Sequence, residues 1–372
     1  MNMARRLEGN PGDTITDALS AAMPRLDRLP EPYQVLDADG MVVGQLPDLS
    51  DEQLVALYRW MLFGRSLDER AWQLQRQGRI GVWGPIRGQE AAQAGLGLAM
   101  GPDDWIFPSY REAITLGMRG LDLETILQYV RGLYWLAEPT RTGVFPIQIS
   151  IGDQSLHAVG AGMAFALQER PAVAVASIGD GATSEGDFHE ALNFGGVFRA
   201  QAVIFVQNNQ WAISMPRSAQ TASPTLVQKA LAHVIAGYLV DGNDVLAVYD
   251  VCRQALTQAR SGQGTVLVEA LTYRLGAHTT ADDPKRYQPP AEIEEWSKRD
   301  PLRRMRRFLE DRALWNEAND TAAQTEALAR IDAAVARIEA APIPSFERVF
   351  ETTFATPTPR QIEGRDRWTE EQ

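Results

Sequence analysis

Apolar positions in the first third of the chain recur with a helical period. PDLSDEQLVALYRWMLFGRSLDERAWQLQRQG predicts a long helix from about 51 to 77, with Ser50 as N-cap, Gln53 at the capping-box position and Gly78 as its stop. A second helix is expected at about 88–100 and a third at about 122–137. Ahead of them, YQVLDADGMVVG reads as a short hairpin-like piece with Asp39-Gly40 as its turn. From residue 150 the pattern changes. DQSLHAVGAGMAFALQER is a helix of small residues, suited to close packing. AVAVASIG (172–179) and AVIFVQ (202–207) are continuous apolar runs, as in strands buried on both faces. The helix-patterned TSEGDFHEALNFGGVF separates them. Further helices fit 224–236 and 244–261, and further strands 237–240 and 265–273.

Buried strands alternating with helices predict an α/β fold, a doubly wound and mainly parallel sheet with helices on both faces. A helical N-terminal layer precedes it and a charged helical appendage follows, to about residue 341. Between sheet and appendage, GAHTTADDPKRYQPP reads as a loop. Residues 1–32 read as an extended arm, 33–341 as one domain, and 342–372 as a trailing tail.

Composition narrows the classes. The 372 residues carry 36 basic and 48 acidic side chains, a net charge of −12, which argues against nucleic-acid binding. The Arg-rich PLRRMRRFLEDR (301–312) places Leu302, Met305, Phe308 and Leu309 at helical spacing, so it reads as an amphipathic helix. The single cysteine, Cys252, lies in an apolar-periodic run and is expected to be a buried structural thiol. No secretory signal is evident, and no apolar run approaches the roughly 18–20 residues of a membrane span. A soluble, cytoplasmic chain is expected.

The stretch from Gly179 to Asn209, GDGATSEGDFHEALNFGGVFRAQAVIFVQNN, carries the chemistry. Asp180 leaves the carboxyl end of one strand, and Asn208 and Asn209 leave the carboxyl end of the next. In a right-handed β–α–β unit those ends share one edge of the sheet, so a carboxylate and an amide oxygen converge. With a main-chain carbonyl from the turn near Trp211, three oxygens face one position, a set suited to Mg2+. Gly181 and Ala182 are expected to open the intervening helix, whose free N–H groups and positive end favour an anion. A cation site beside an anion site describes a metal–diphosphate. Gly-Asp-Gly alone occurs in many turns, and a turn whose Asp and Asn only cap helices is the alternative. The added helix, buried strand and Asn-Asn make the pattern specific.

That combination resembles the thiamin diphosphate fingerprint of the transketolase-like superfamily. GQEAAQAG (88–95), FPSYREAITLG (107–117), QISIGDQSLHAVGAG (148–162), QNNQWAIS (207–214), VDGNDVLAVYD (240–250) and YRLGAHTTADDP (273–284) follow in order. Together, over roughly residues 33–320, they are similar to the alpha chain of the decarboxylating component of 2-oxo acid dehydrogenase complexes, most of all to pyruvate dehydrogenase alpha subunits of bacterial type.

The resemblance implies that Asp180, Asn209 and the Trp211 carbonyl ligate Mg2+, and that Gly181 and Ala182 touch the diphosphate through main-chain N–H. It implies that Tyr110 and Arg111 bind the cofactor, Arg111 as a charged clamp on a phosphate oxygen. Ile149 and Ile151 would line the cleft beside the aminopyrimidine. Gln207 and Arg274 are further candidates on the phosphate side, and His278 is the loop histidine facing cofactor and substrate. His157, His189 and His233 sit on helical patterns and read as packing or surface residues. The implied reaction is decarboxylation of a 2-oxo acid, pyruvate first, followed by reductive acylation of the lipoyl group of an acyltransferase component. A beta subunit would supply the activating carboxylate in an α2β2 heterotetramer, so the alpha chain alone is expected to be inactive. Branched-chain 2-oxo acid and acetoin dehydrogenases are the alternatives within the family, and a cofactor-free interaction subunit the alternative outside it. A dinucleotide-binding dehydrogenase is disfavoured, since no G-x-G-x-x-G follows a strand.

Three departures from the family pattern stand out. The segment 137–146 lacks a Gly-rich, His-containing stretch, Trp211 stands where Tyr or Phe is common, and Thr279 follows the loop histidine where mitochondrial relatives carry a phosphorylated Ser.

Overall fold

The apolar runs of the sequence form the middle of a five-stranded sheet. The structure, a computed structural model, describes residues 31–133, 143–343, 345–351 and 354–370. The expected arm, up to residue 30, and most of the segment 137–146 lie outside the described residues.

In chain order the first half comprises α1 (Asp51–Arg76), α2 (Glu90–Ala99), β1 (Trp105–Pro108), α3 (Ala113–Met118), α4 (Leu123–Val130), α5 (Asp153–Leu167) and β2 (Ala174–Gly179). A 3-10 turn (Asp180–Ser184) leads into α6 (Gly186–Phe198) and β3 (Ala202–Asn208). A two-residue hairpin, β4 (Trp211–Ala212) with β5 (Met215–Pro216), is followed by the short helices α7 (Arg217–Gln220) and α8 (Lys229–Ala232). Then come β6 (Ala236–Asp241), α9 (Val245–Arg260) and β7 (Val266–Leu271). The C-terminal appendage is α10 (Pro290–Ser297), α11 (Pro301–Asp311) and α12 (Glu317–Ala340). The segment read as a tail carries α13 (Glu347–Glu351) and α14 (Pro359–Glu370), joined by stacking of Phe346 on Trp368 at 4.2 Å.

The sheet order is β1-β2-β3-β7-β6, and every neighbouring pair is parallel. Alternate residues of the strands feed two cores. Val173, Val175, Val203, Phe205, Val266 and Val268 share one core with α1, α2, α9, α11 and α12. Ala174, Ala176, Ile178, Ala202, Ile204 and Val206 face α5 and α6. Ser50 and Gln53 form the expected capping box of α1, and Cys252 is fully buried. Among the described residues no helix is long and apolar enough to cross a membrane.

Three expectations are corrected. β1 was not anticipated: four residues, WIFP, are too short to show a period, and a parallel neighbour rather than local pattern makes them a strand. The helix expected at 224–236 shrinks to α8. Glu269 on β7 accepts the N–H of Val227 at 2.7 Å and fixes that stretch as a turn, and Val234, at φ +56°, ends the helix before β6. The helix expected at 122–137 is described only as α4, which gives way to a turn at Gly132, at φ +78°.

The VDGND motif has a structural use. Asp244 caps α9 through Leu246 and Ala247, while its other oxygen accepts the N–H groups of Val35 and Leu36 at 2.7 and 2.6 Å. It thereby ties the N-terminal hairpin to the end of β6. Helix α2 lies close against α9 because Gly95 lacks a side chain: a Cβ there would stand 2.7 Å from a Val248 methyl and 2.9 Å from the Tyr249 nitrogen. Gly95→Ala is expected to lower stability by about 1–3 kcal/mol through overpacking, read as a fall in the urea midpoint at unchanged slope.

Candidate functional site

A cleft of about 350 Å³ opens at the carboxyl ends of β1, β2 and β3. That volume lies within the range of about 300–1,000 Å³ found for small-molecule sites, and the place is where parallel sheets bind ligands. The register pairs Gly179 with Gln207, so the residues that follow them leave the sheet side by side.

Asp180 and Asn209 both line the cleft and are almost fully buried. Asp180 accepts Gln220 Nε2 at 3.2 Å. Burial raises its pKa to about 6, against the lowering effects of Gln220, Arg274 and the Asn209 N–H. Asn209 Oδ1 accepts the Trp211 N–H at 3.2 Å, and its Nδ2 donates to Gln89 Oε1 at 3.0 Å. The chain turns sharply after Asn209, with Gln210 and Ile213 at φ +72° and +56°, and brings β4 over Gly181. A Cβ at Gly181 would stand 2.8 Å from that of Ala212, so only glycine permits the approach.

The stretch after Asp180 differs from expectation. Gly181 and Ala182 belong to the 3-10 turn, and α6 begins only at Gly186. Both line the cleft, but their N–H groups act as early donors of a tight turn, without a helix dipole behind them.

Tyr110, Arg111, Ile151, Gln207, Trp211 and His278 also line the cleft. Ile149 does not, and is 69% exposed. Arg111 lies 5.2 Å from the Tyr110 ring centre. Its Nη1 donates to Pro85 O at 2.6 Å, and its Nη2 faces both His278 O at 2.6 Å and His278 Nδ1 at 2.9 Å. A guanidinium can only donate, so His278 accepts through Nδ1 and carries its proton on Nε2. Burial, Arg111 and Arg274 hold the His278 pKa down to about 4, and the imidazole is neutral at neutral pH. The His278 N–H donates to Asp282 at 2.8 Å, and Tyr287 Oη donates to the same carboxylate.

Arg274 is fully buried behind the cleft rather than on its lining. It donates to Trp211 O at 3.3 Å, Ile213 O at 2.7 Å and Tyr287 Oη at 2.9 Å, and so locks the turn after β3 to the 275–289 loop. Gln207 is likewise held from below, its Nε2 donating to Glu112 at 3.0 Å and Ser177 at 3.2 Å. Its Oε1 and the Nε2 of Gln89 are buried and have no hydrogen-bond partner among the described residues. His157 and His189 are exposed and His233 half-buried, none of them on the cleft.

Sequence reasoning missed three polar residues here. Gln89 and Glu112 lay inside the GQE and YRE motifs, but only the fold turns them toward the cleft. Glu112, raised to about 7 by burial, accepts the Arg111 N–H at 2.9 Å and forms part of the floor. Gln220 had no sequence signal, because it reaches Asp180 only after the chain doubles back through β4 and β5.

The dehydrogenase E1 component model matches residues 58–347. The chain belongs to the dehydrogenase E1 component family. This E1 chain is 44% identical over 335 residues to the 3-methyl-2-oxobutanoate dehydrogenase subunit alpha of Mycobacterium tuberculosis, covering 88% of this chain and 91% of the relative. It is 45% identical over 311 residues to the pyruvate dehydrogenase E1 component subunit alpha of Staphylococcus aureus, covering 82% and 84%. The family is thiamin diphosphate-dependent, and the cleft of this E1 chain offers chemistry that suits a metal–diphosphate. One buried carboxylate and one buried amide oxygen stand on adjacent strand ends, glycine permits close approach, and two buried polar atoms lack partners. Among the described residues no group of three His, Cys, Asp or Glu side chains could hold a metal ion. A divalent ion here would therefore draw on Asp180, on an amide and on main-chain oxygen, with phosphate and water completing its shell.

Proposed function

We propose that this chain is the alpha chain of a thiamin diphosphate- and Mg2+-dependent 2-oxo acid dehydrogenase that decarboxylates pyruvate and passes the acyl group to the lipoyl group of an acyltransferase component. The observation that carries the reading is the adjacency of Asp180 and Asn209 at the paired ends of β2 and β3. When bound, thiamin diphosphate would supply the nucleophilic carbanion and the electron sink that decarboxylation of a 2-oxo acid requires.

The chain's own residues bind, orient and exclude water. Asp180, the Asn209 amide oxygen and the Trp211 carbonyl would hold Mg2+, with Arg274 fixing the Trp211 turn from behind. Gly181 and Ala182 would present N–H groups to the diphosphate. Tyr110 and Ile151 would form the wall, with Ile149 beyond the lining on the same exposed rim. Arg111 acts from inside the wall: two of its nitrogens are bound to Pro85 and His278, so its main effect is to set the His278 ring. His278, neutral with its proton on Nε2, would donate a hydrogen bond from Nε2–H to an oxygen developing charge near the substrate carbonyl.

Exposed Ile149, Ile151, Ile213 and Met215 sit at or beside the rim, which fits a beta chain closing the cleft in an α2β2 assembly. The 88% coverage by the relative named for 3-methyl-2-oxobutanoate favours the branched-chain 2-oxo acid as the second reading. The test is a substrate panel on the co-expressed alpha and beta chains with thiamin diphosphate and Mg2+: pyruvate, 3-methyl-2-oxobutanoate and acetoin. Pyruvate is expected to give the highest kcat/KM, and the alpha chain alone no turnover. Preference for 3-methyl-2-oxobutanoate supports the second reading. Failure to turn over any of the three, or full turnover by the alpha chain alone, rejects the assignment.

A further inference from the structure

The chemistry of Asn209 depends on which end of its amide faces the metal corner. A main-chain donor settles the assignment. The Trp211 N–H can only donate, so the Asn209 atom 3.2 Å from it is the oxygen. The other end is then the NH2 group, and the Gln89 atom 3.0 Å from it is an oxygen. By elimination, the remaining polar atom of Gln89 is its own NH2, which is buried with no partner among the described residues. Gln89 is 1% exposed and lines the cleft.

Its backbone is held firmly. Gly88, at φ +93°, packs so tightly that a Cβ would stand 2.3 Å from Tyr273 O. Glu90 accepts the Gly88 N–H at 2.8 Å and Arg65 at 2.5 Å. A side chain anchored in this way can dictate the orientation of a neighbouring amide. The amide oxygen attracts a cation and the NH2 group repels it, so the orientation decides whether Asn209 is a ligand or an obstacle.

We propose that Gln89 is a positioning residue, which accepts the Asn209 NH2 and so keeps the Asn209 oxygen on the metal corner of the cleft. The inference rests on the reading of Asp180 and Asn209 as Mg2+ ligands.

The test uses the co-expressed alpha–beta enzyme and follows thiamin diphosphate binding by calorimetry across a Mg2+ series. Gln89→Met keeps the length and removes the acceptor. The Mg2+ concentration for half-saturation is expected to rise about tenfold, as for the loss of one hydrogen bond that leaves a buried donor unpaired. High Mg2+ should recover the loss, as it would not recover a lost fold. Gln89→Glu keeps an acceptor and should stay close to the unchanged enzyme. Asn209→Asp offers oxygen at both ends, so in that background Gln89→Met should move the Mg2+ requirement little. An unchanged requirement in Gln89→Met, or the same rise in the Asn209→Asp background, overturns the inference. Should Gln89→Met fail to fold, a rise of similar size in Gln89→Glu overturns it. Cofactor binding by the unchanged enzyme that ignores Mg2+ overturns the metal reading itself, and the inference with it.

Discussion

Asp180→Ala is expected to abolish Mg2+-dependent binding of thiamin diphosphate by the assembled enzyme, with an affinity loss of at least about a hundredfold. The comparison is with residues that merely support metal ligands, whose replacement costs about 10–100-fold. Asp180 is a carboxylate that lines the cleft with Asn209, and neither the Asn209 amide nor a main-chain carbonyl carries a charge to replace it. The fold should survive. Burial already raises this carboxyl to about 6, so above that pH its ionisation opposes folding and its removal relieves a penalty. Unchanged or higher thermal stability at pH 7.5 with lost binding would separate a metal role from a structural one. The same group fixes a pH dependence. The metal takes the ionised form, so metal-dependent binding by the unchanged enzyme should weaken as pH falls through about 6. Cofactor affinity that is equal in Asp180→Ala and the unchanged enzyme sinks the metal assignment.

The second large effect is expected at His278. His278→Ala should keep cofactor affinity within a few-fold and cut overall acyl transfer by about 10²–10⁴, the usual contribution of a placed proton donor. Cofactor affinity survives because Arg111 keeps its bonds to Pro85 O and to the main-chain carbonyl of residue 278. With its pKa held down to about 4, His278 is neutral through the working range, so its own protonation should limit activity only near pH 4 and not near 6.5. Steady-state assay of lipoyl acylation beside calorimetry of cofactor binding checks both halves. Unaltered acylation removes the loop histidine from the mechanism.

The buried runs at 172–179 and 202–207 were legible because strands covered on both faces need unbroken apolar stretches, and the adjacency of Asp180 and Asn209 followed from the handedness of the crossover between them. The capping box of α1 was equally local: Ser50 and Gln53 satisfy each other within one turn. β1 was illegible for the opposite reason, since four residues carry no period and become a strand against distant neighbours, β2 above all. The helix read at 224–236 was overruled by a distant carboxylate, that of Glu269.

The partners of charged side chains were the least legible. Arg111 and Arg274 stand in motifs that associate them with phosphate, yet both guanidinium groups turn to carbonyls of the chain itself, because a buried cation without an immediate acceptor is costly. Local pattern and one rule of handedness were enough for the central strands β2 and β3, the carboxylate and amide at their ends, and the family that shares them. Which atoms face the cleft was set by packing between segments: the flip of Asn209, the proton of His278, the reach of Gln220. Those depend on hydrogen bonds between segments as much as 167 residues apart, and no local pattern encodes where such partners meet.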